Sequence, residues 1–430
     1  MKIPARSSIA RLNSNSPWKA AGGFVALFVL IVAVTGFAAD VPSAPKFKFD
    51  CDWPKPLPNK WKMGGVTGLA VDKDDNVWVF DRPNDLTDIE LEAELNPPIA
   101  DCCVRPPSMI HIDKEGNVIG SFDAPQGHGM AVDSKGFAYL GNTDKGLNTV
   151  RKYDEKTGQL VAEIPRVPER EPGGGGDAAI PSPRPMGRGS SGPIYGFLPE
   201  FRPKPDAATI AARKEAMDAF KTKYPPTTPM IVGQVEEVRL DEPAREMYVA
   251  DSYLGGRVMV FDLDTFKFKR GWGAYGHTLD QITTNDADRA YTPGGPMPKE
   301  FRGHLTLNIS NDGYLYAADR MANRIQVFTK QGKFIKEFIV KPETGAGGAT
   351  GGVMFSADKA QRFLYISDLT NNHIYFLNRE TGQVVGQMGT MGQNGGQFFG
   401  LHMEAVDSKG NLYTGEVFAG ERVQRFLPVK

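Results

Sequence analysis

The amino-acid sequence predicts an all-β protein with the architecture of a six-bladed β-propeller. Six segments share one pattern: an apolar strand, a polar turn, a second strand rich in Val, Tyr or Leu, and then an acidic or polar residue. Hairpins that recur at a regular period along a chain are typical of propeller blades. The six segments cover residues 66–82, 128–142, 235–251, 305–319, 352–368 and 403–416.

Further strands follow most of these hairpins, which brings the predicted number to four per blade. Third strands are predicted at residues 257–261, 324–328, 373–377 and 422–426, and a fourth at residues 333–338. The last blade ends after three strands. Residues 47–49 (FKF), which precede blade one, can supply the missing outer strand. Such a strand would close the ring and remove the exposed sheet edges that favour aggregation.

Two insertions interrupt the repeat, at about residues 84–107 and 166–228. The first contains a helix-like stretch at residues 86–95, two prolines, and adjacent cysteines. The second begins with a Gly/Pro/Ser-rich tract over residues 166–202, and residues 206–223 then show apolar side chains at near-helical spacing. We interpret both insertions as excursions between strands that cover one end of the channel, so residues 40–430 form a single propeller.

The N-terminus has the pattern of an export signal over residues 1–39. Four basic residues (Lys2, Arg6, Arg11 and Lys19) flank or precede an apolar run at residues 24–34, and small residues at 36–38 suit a cleavage site. The alternative is an uncleaved anchor, because residues 20–39 are just long enough to span a bilayer. Both readings predict that the propeller lies outside the cytoplasm, either periplasmic or secreted.

The charge balance argues against nucleic acid as a partner. The whole chain has 50 Lys and Arg against 51 Asp and Glu, and removal of the four basic residues of the signal leaves 46 against 51, a net charge of −5. A mildly acidic protein does not attract polyanions. We therefore expect membrane contact only through an uncleaved N-terminal segment.

Three cysteines remain in the exported chain: Cys51, Cys102 and Cys103. In an oxidising compartment they are candidates for a disulfide. Cys51 can pair with Cys102 or with Cys103, or these two can pair with each other. The odd number leaves one thiol over, and the spacing is not that of a zinc knuckle.

Three histidines occupy the same place in the repeat. His128, His304 and His402 open the first strands of blades two, four and six, which alternate around the ring. The first strands of a closed propeller line its central channel, so three imidazoles at one height can hold a metal ion there. Three neutral nitrogen ligands with an open fourth position are typical of catalytic zinc. The other histidines are predicted in outer strands (His111, His373) or in a loop (His277).

The strand motif resembles the NHL-type repeat. The channel residues resemble more specifically the lyase domain of the peptidylglycine α-amidating enzymes, a six-bladed propeller with zinc on three blade-opening histidines. That family also has an Arg at the end of the second strand of blade one, a Tyr two residues beyond an Asp in blade three, and Asp-Arg in blade four. The matching residues of this chain are Arg82, Tyr253 and Arg320.

The resemblance implies a lyase that cleaves an α-hydroxyglycine end into an amide and glyoxylate. It implies zinc on the three histidines, Tyr253 as the base that removes a hydroxyl proton, and Arg82 and Arg320 as partners of the substrate carboxylate and for charge balance. The substrate would be a small or peptide-like molecule in the central channel. No copper monooxygenase domain precedes the propeller in this chain, so the hydroxylated substrate would come from elsewhere.

The chain also departs from the family pattern. The family has an acidic residue, linked to calcium, directly after its third zinc histidine, whereas Met403 stands at that place here, so we do not expect calcium. Gly400 replaces a family Met, which changes the pocket wall. Two other functions compete with the lyase: a lactonase-type hydrolase, which holds calcium through Glu, Asn and Asp, and a non-catalytic propeller that binds a protein or ligand.

Overall fold

The strands of this protein form six antiparallel sheets of four strands each, as a computed structural model shows. The structure describes residues 43–143, 148–167, 206–252, 256–345, 347–418 and 420–429. The predicted signal segment lies outside these residues. The prediction of a six-bladed all-β propeller is confirmed.

Each blade is an antiparallel sheet, and in blades one to five the strand order follows the chain. Blade one contains β2 (Gly65–Val71), β3 (Val77–Arg82), β4 (Met109–Ile112) and β5 (Val118–Phe122). Blade two contains β6 (Gly127–Val132), β7 (Phe137–Asn142), β8 (Thr149–Asp154) and β9 (Leu160–Glu163). Blade three contains β10 (Gln234–Asp241), β11 (Glu246–Ser252), β12 (Arg257–Asp262) and β13 (Phe268–Trp272).

The second half of the ring repeats this plan. Blade four contains β14 (Leu305–Ile309), β15 (Tyr314–Asp319), β16 (Arg324–Thr329) and β17 (Phe334–Ile339). Blade five contains β18 (Met354–Phe355), β19 (Phe363–Asp368), β20 (His373–Asn378) and β21 (Val384–Met388). Blade six contains β22 (Leu401–Val406), β23 (Leu412–Glu416), β24 (Val423–Pro428) and the N-terminal strand β1 (Phe47–Asp50).

Strand β1 closes the ring as predicted. It pairs with β24 in an antiparallel register from Phe47 opposite Pro428 to Asp50 opposite Arg425. The ring of Phe47 packs against those of Tyr365 and Phe376, each at a centroid distance of 5.8 Å. The last blade is therefore built from both ends of the described chain.

Aspartates shape several of the turns between first and second strands. The carboxylate of Asp133 accepts hydrogen bonds from the backbone N–H groups of Lys135 and Phe137, and the hydroxyl of Tyr139 donates to the same side chain. Asp407 does the same for Lys409 and Asn411. An Asp that binds backbone two and four residues on stabilises a tight turn, which explains its recurrence in the repeat.

The hydrophobic core consists of six clusters, each shared between two neighbouring blades. Tyr139 of blade two packs with Val249 of blade three in one cluster, and Tyr248 of blade three packs with Leu307 of blade four in the next. The other four clusters join the remaining pairs of neighbours, including blades six and one. Because every blade buries both of its faces, the ring is stabilised as a whole.

The insertions agree only in part with the sequence prediction. Residues 86–95 are not an α-helix but two separate 3-10 turns, Asp88–Glu90 and Glu92–Glu94. The backbone N–H of Thr87 donates to the Glu90 carboxylate in a capping box that begins the first turn, and Leu91, directly after this turn, leaves helical geometry. Further 3-10 turns are Pro58–Lys60, Pro83–Asp85, Ala274–Gly276, Asp286–Asp288 and Arg320–Ala322.

The predicted helix of the second insertion is present as α1 (Ala207–Lys223). Its N-cap is Asp206, whose carboxylate accepts a 2.7 Å hydrogen bond from the backbone N–H of Thr209. Near its C-terminal end, Lys221 bonds Asp286 at 3.0 Å, in the loop between blades three and four. Across the described ranges, no helix combines the length and apolar character needed to cross a membrane.

Candidate metal centre

The histidines of blades two and six stand at β-bulges. The pairing of β6 with β7 slips between Gly127 and Met130, on either side of His128, and that of β22 with β23 slips between Leu401 and Met403, on either side of His402. A bulge adds a residue to one strand and re-aims its side chain. His304 precedes β14 and has a φ of 55°, in the left-handed region that histidine rarely occupies.

These local distortions bring the three imidazoles together. The Nε2 atom of His402 lies 3.1 Å from that of His128 and 3.4 Å from that of His304. One ligand atom from each of the three histidines lies within 4.8 Å of the other two. The side chains are deeply buried, with exposed fractions of 8% for His128, 3% for His304 and 4% for His402.

The donor set fits a transition-metal ion such as zinc. Neighbouring ligands of a tetrahedral zinc are about 3.3 Å apart, because Zn–N bonds are about 2.0–2.1 Å long. The two short distances between Nε2 atoms, 3.1 and 3.4 Å, match that spacing. Three buried histidines can therefore bind a metal ion here, and in the part of the chain that the structure describes this is the one such group of His, Cys, Asp or Glu.

Backbone carbonyls orient two of the rings. Nδ1 of His128 lies 2.6 Å from the carbonyl oxygen of Glu236, and Nδ1 of His402 lies 3.1 Å from that of Val66. In each ring the Nδ1–H group donates to the carbonyl, which leaves Nε2 as the nitrogen with the lone pair. Hydrogen bonds of this kind fix the tautomer of metal-binding histidines.

Burial and nearby positive charge keep the imidazoles neutral. Burial, together with the charges of Arg82 and Arg320, lowers the pKa of His128 to about 3. Burial likewise moves the pKa values of His304 and His402 well below the usual range, with Arg320 as a further cause for both. At neutral pH the rings are therefore in the unprotonated form that metals bind.

Both predicted arginines lie beside this centre. Arg82 ends β3, and its Nε atom is 2.9 Å from a carboxylate oxygen of Asp85. Arg320 follows β15 directly; its side chain is buried, and its backbone N–H donates to the carbonyl of His304 at 3.2 Å. The charges of both arginines act on His128 and His402. Tyr253 lies outside the described residues.

Glu236 of β10 is a site residue that the sequence analysis missed. Its Oε2 atom lies 3.4 Å from Nε2 of His128 and 3.2 Å from Nε2 of His304. A signal for it exists in the repeat: Glu236 stands five residues before Asp241, as His128 stands five before Asp133 and His402 five before Asp407. A bulge between Val235 and Glu237 marks the same place in blade three.

The remaining candidates lie elsewhere. Cys102 and Cys103 are bonded to each other, which is one of the pairings left open by the sequence, and Cys51 is exposed.

The other three histidines contact residues away from the metal centre. His111 binds Asp72 and stacks on Trp78. His277 contacts Glu300, and His373 contacts the carbonyl of Gly389. Glu404, which follows Met403, is buried, and burial raises its pKa to about 7.

Comparison with known proteins relates the chain weakly to amidating enzymes. It is 29% identical over 204 residues to peptidyl-glycine alpha-amidating monooxygenase B of Xenopus laevis, covering 46% of this chain and 21% of that protein. It is 24% identical over 402 residues to monooxygenase A of the same species, covering 89% of this chain and 33% of that protein. The chain therefore spans a third or less of these relatives. No family model matches.

Comparison with solved structures gives matches at low sequence identity and with TM-scores below 0.5. One is selenomethionine-substituted virginiamycin B lyase from Staphylococcus aureus, with 12% identity, a TM-score of 0.41 and 89% of each chain covered. Another is a streptogramin B lyase, with 12% identity, a TM-score of 0.46, and coverage of 89% of this chain and 98% of that one.

Proposed function

We propose that this protein is an exported, zinc-dependent lyase that cleaves an α-hydroxyglycine-type substrate into an amide and glyoxylate. The observation that carries the proposal is the buried trio of His128, His304 and His402 beside two arginines, at one level of the propeller. The weak similarity to alpha-amidating monooxygenases supports this choice of substrate.

The reaction moves one proton from oxygen to nitrogen and breaks the carbon–nitrogen bond. The O–H bond of the substrate hydroxyl breaks, the carbon–oxygen double bond of glyoxylate forms, and the C–N bond breaks as the amide nitrogen takes up a proton. A zinc ion on the three histidines would supply Lewis acidity, which lowers the pKa of a hydroxyl group beside it. No oxidant or reductant is required, because carbon keeps its oxidation level across the products.

The protein's own side chains would bind and orient the substrate. A guanidinium group presents two N–H donors in a rigid fork that matches a carboxylate, and Arg82 and Arg320 are the candidates for that contact. Their charges also favour a substrate anion next to the neutral histidines. Tyr253 is our candidate for the base that accepts the hydroxyl proton. The three histidines are buried, so reacting atoms beside them would lie away from bulk water.

The test is metal analysis followed by a glyoxylate assay. We expect about one zinc per purified mature chain, and glyoxylate release when the zinc-loaded protein is given α-hydroxyhippurate. His402→Ala should lose both properties, while His373→Ala, which alters an outer-strand histidine, should keep both. Stoichiometric zinc without any glyoxylate would refute the lyase and leave a metal-binding propeller.

Export is part of the proposal and has a separate test. Intact mass of the protein recovered from its native compartment should correspond to cleavage near residue 39. A full-length mass in the membrane fraction would indicate the uncleaved anchor instead, and recovery of the full-length chain in the cytoplasm would refute export.

A further inference from the structure

A buried carboxylate touches two of the three histidines. Oε2 of Glu236 lies 3.4 Å from Nε2 of His128 and 3.2 Å from Nε2 of His304, and these two nitrogen atoms are the neighbours of the carboxylate within the centre. The Glu236 side chain is 3% exposed. The carboxylate oxygen thus lies against two of the three imidazoles, those of His128 and His304, in the buried part of the centre.

The contacts form a closed ring of ligand atoms. Around it the distances are 3.1 Å from His128 to His402, 3.4 Å from His402 to His304, 3.2 Å from His304 to Glu236, and 3.4 Å from Glu236 back to His128. All four are close to the spacing of about 3.3 Å between neighbouring ligands of a tetrahedral zinc. Carboxylate oxygen is itself a common zinc ligand, with bonds of about 2.0–2.2 Å.

The backbone holds Glu236 in this position. Its carbonyl oxygen accepts the hydrogen bond from Nδ1 of His128, so one residue orients the ring and touches its other nitrogen. Gly129 allows the close approach of the two blades, since a Cβ there would lie 2.6 Å from the Cα of Glu237. The bulge after Val235 turns Glu236 towards the channel, as the equivalent bulges turn His128 and His402.

We propose that the Glu236 carboxylate would be a fourth protein ligand of a metal ion held by His128, His304 and His402. This inference rests on the proposed metal centre. A negative ligand also offsets part of the positive charge that the ion, Arg82 and Arg320 concentrate in one buried place. Four protein ligands are typical of a closed site, which would hold its metal ion tightly, and a substrate oxygen would have to compete with the carboxylate for the ion.

The experiment uses cobalt as a spectroscopic substitute for zinc. We would load three proteins with Co²⁺: the mature wild type, Glu236→Gln and Glu237→Gln. Their visible spectra are compared, and a competing chelator measures their metal affinities. Glu237 is the matched control, because it is the neighbouring buried acid but its carboxylate pairs with Arg239 at 3.1 Å. We expect Glu236→Gln to change the ligand-field bands and to weaken metal binding about tenfold or more. Glu237→Gln should match the wild type in both.

The outcomes separate this inference from the proposed function. If wild-type protein binds no stoichiometric metal, the metal centre itself is refuted, and the role of Glu236 with it. If wild type binds one ion and Glu236→Gln has the same spectrum and affinity, the fourth ligand is refuted while the three-histidine centre stands. A crystal structure of the zinc-loaded wild type needs no variant: a Glu236 oxygen about 2.0–2.2 Å from zinc supports the proposal, and one beyond hydrogen-bonding range overturns it.

Discussion

At the scale of single residues, the centre combines neutral ligands with fixed positive charge. Burial lowers the histidine pKa values, and Arg82 and Arg320 lower those of His128 and His402 further, so protons do not compete with a metal at neutral pH. The same two charges suit the binding of a carboxylate substrate. In the proposed function, metal binding and anion binding would therefore depend on the same local electrostatics.

Replacement of the guanidinium fork should affect substrate binding more than metal binding. Arg320→Lys keeps the positive charge but loses the paired N–H donors, so we expect KM for α-hydroxyhippurate to rise about tenfold or more, with zinc content unchanged. Steady-state kinetics beside metal analysis measures both. Arg362→Lys, an exposed substitution in blade five, should leave KM at the wild-type value. An unchanged KM in Arg320→Lys would remove Arg320 from the substrate contact.

Glu246 provides a pH-dependent contribution to stability. Its carboxylate binds both terminal nitrogens of Arg270, at 2.7 and 2.6 Å, and these bonds help lower its pKa to about 2. A carboxyl group with a depressed pKa in the folded state stabilises the fold above its ordinary pKa of 4.5, and this contribution is lost as pH falls from about 4.5 to about 2.

We therefore expect Glu246→Gln to lower the free energy of unfolding by about 2–3 kcal/mol at pH 7. The difference from wild type should shrink steadily below pH 4.5. Denaturant unfolding at several pH values measures it, and Glu215→Gln on the exposed face of α1 serves as the control. A difference that stays constant down to pH 2.5 would show that the ion pair is not its cause.

At the scale of elements, bulges decide which side chains reach the channel. The first strands of blades one, two, three and six all carry a register shift, at Thr67, His128, Glu236 and His402. In a regular strand, side chains alternate strictly between the two faces of the sheet, and the extra residue of a bulge interrupts this alternation. The shared distortion places equivalent residues of different blades at one level.

Gly129, which follows His128, allows the packing between blades two and three to be tested. Its φ is 76°, and an added Cβ would lie 2.6 Å from the Cα of Glu237 and 2.8 Å from the carbonyl oxygen of Glu236. Gly136 in the same blade has a φ of 89° but nothing closer than 3.8 Å to its Cβ position. Both alanine variants incur backbone strain of about 1 kcal/mol, and Gly129→Ala must also move two blades apart.

We expect Gly129→Ala to destabilise the protein by about 1–2 kcal/mol more than Gly136→Ala and to lower zinc occupancy. Denaturant unfolding and metal analysis of the two variants make the comparison. Equal destabilisation, with full zinc in both, would mean that the close approach of blades two and three does not shape the centre.

At the scale of the whole molecule, closure by β1 makes the propeller a continuous ring. The strand pairs with β24, and Val429 donates a backbone hydrogen bond to Lys46 beyond the end of that ladder. The core clusters extend across every junction between blades. Loss of one closing element should therefore weaken the ring far from the site of the change.

A chain that begins at Asp52 tests this closure against one that begins at Lys46 and keeps β1. Without β1 the edge of β24 is exposed, and the ring contacts of Phe47 with Tyr365 and Phe376 are lost. We expect the melting temperature to fall by at least about 5 °C and oligomers to form. Light scattering and thermal unfolding measure both effects, and identical behaviour of the two chains would refute the closing role of β1.

The sequence alone determined the six-bladed fold, the closing strand and the helix after Asp206. It could do so because these features depend on local patterns: apolar strands that recur along the chain, polar turns between them, and apolar side chains at near-helical spacing. It also placed three histidines at one position of the repeat. The prediction of a helix at residues 86–95 was wrong. The capping box before residue 88 and the burial of Leu86 and Leu91 favour two short turns over one helix.

Only the tertiary structure decided what surrounds those histidines. Glu236 lies 108 residues from His128 along the chain, and His402 lies 274 residues from it, so no local pattern brings their side chains together. The closed ring does so, because it sets equivalent residues of different blades at one height. Bulges then turn His128, Glu236 and His402 inward, whereas His304 is placed by a left-handed backbone conformation, and burial keeps the imidazoles neutral.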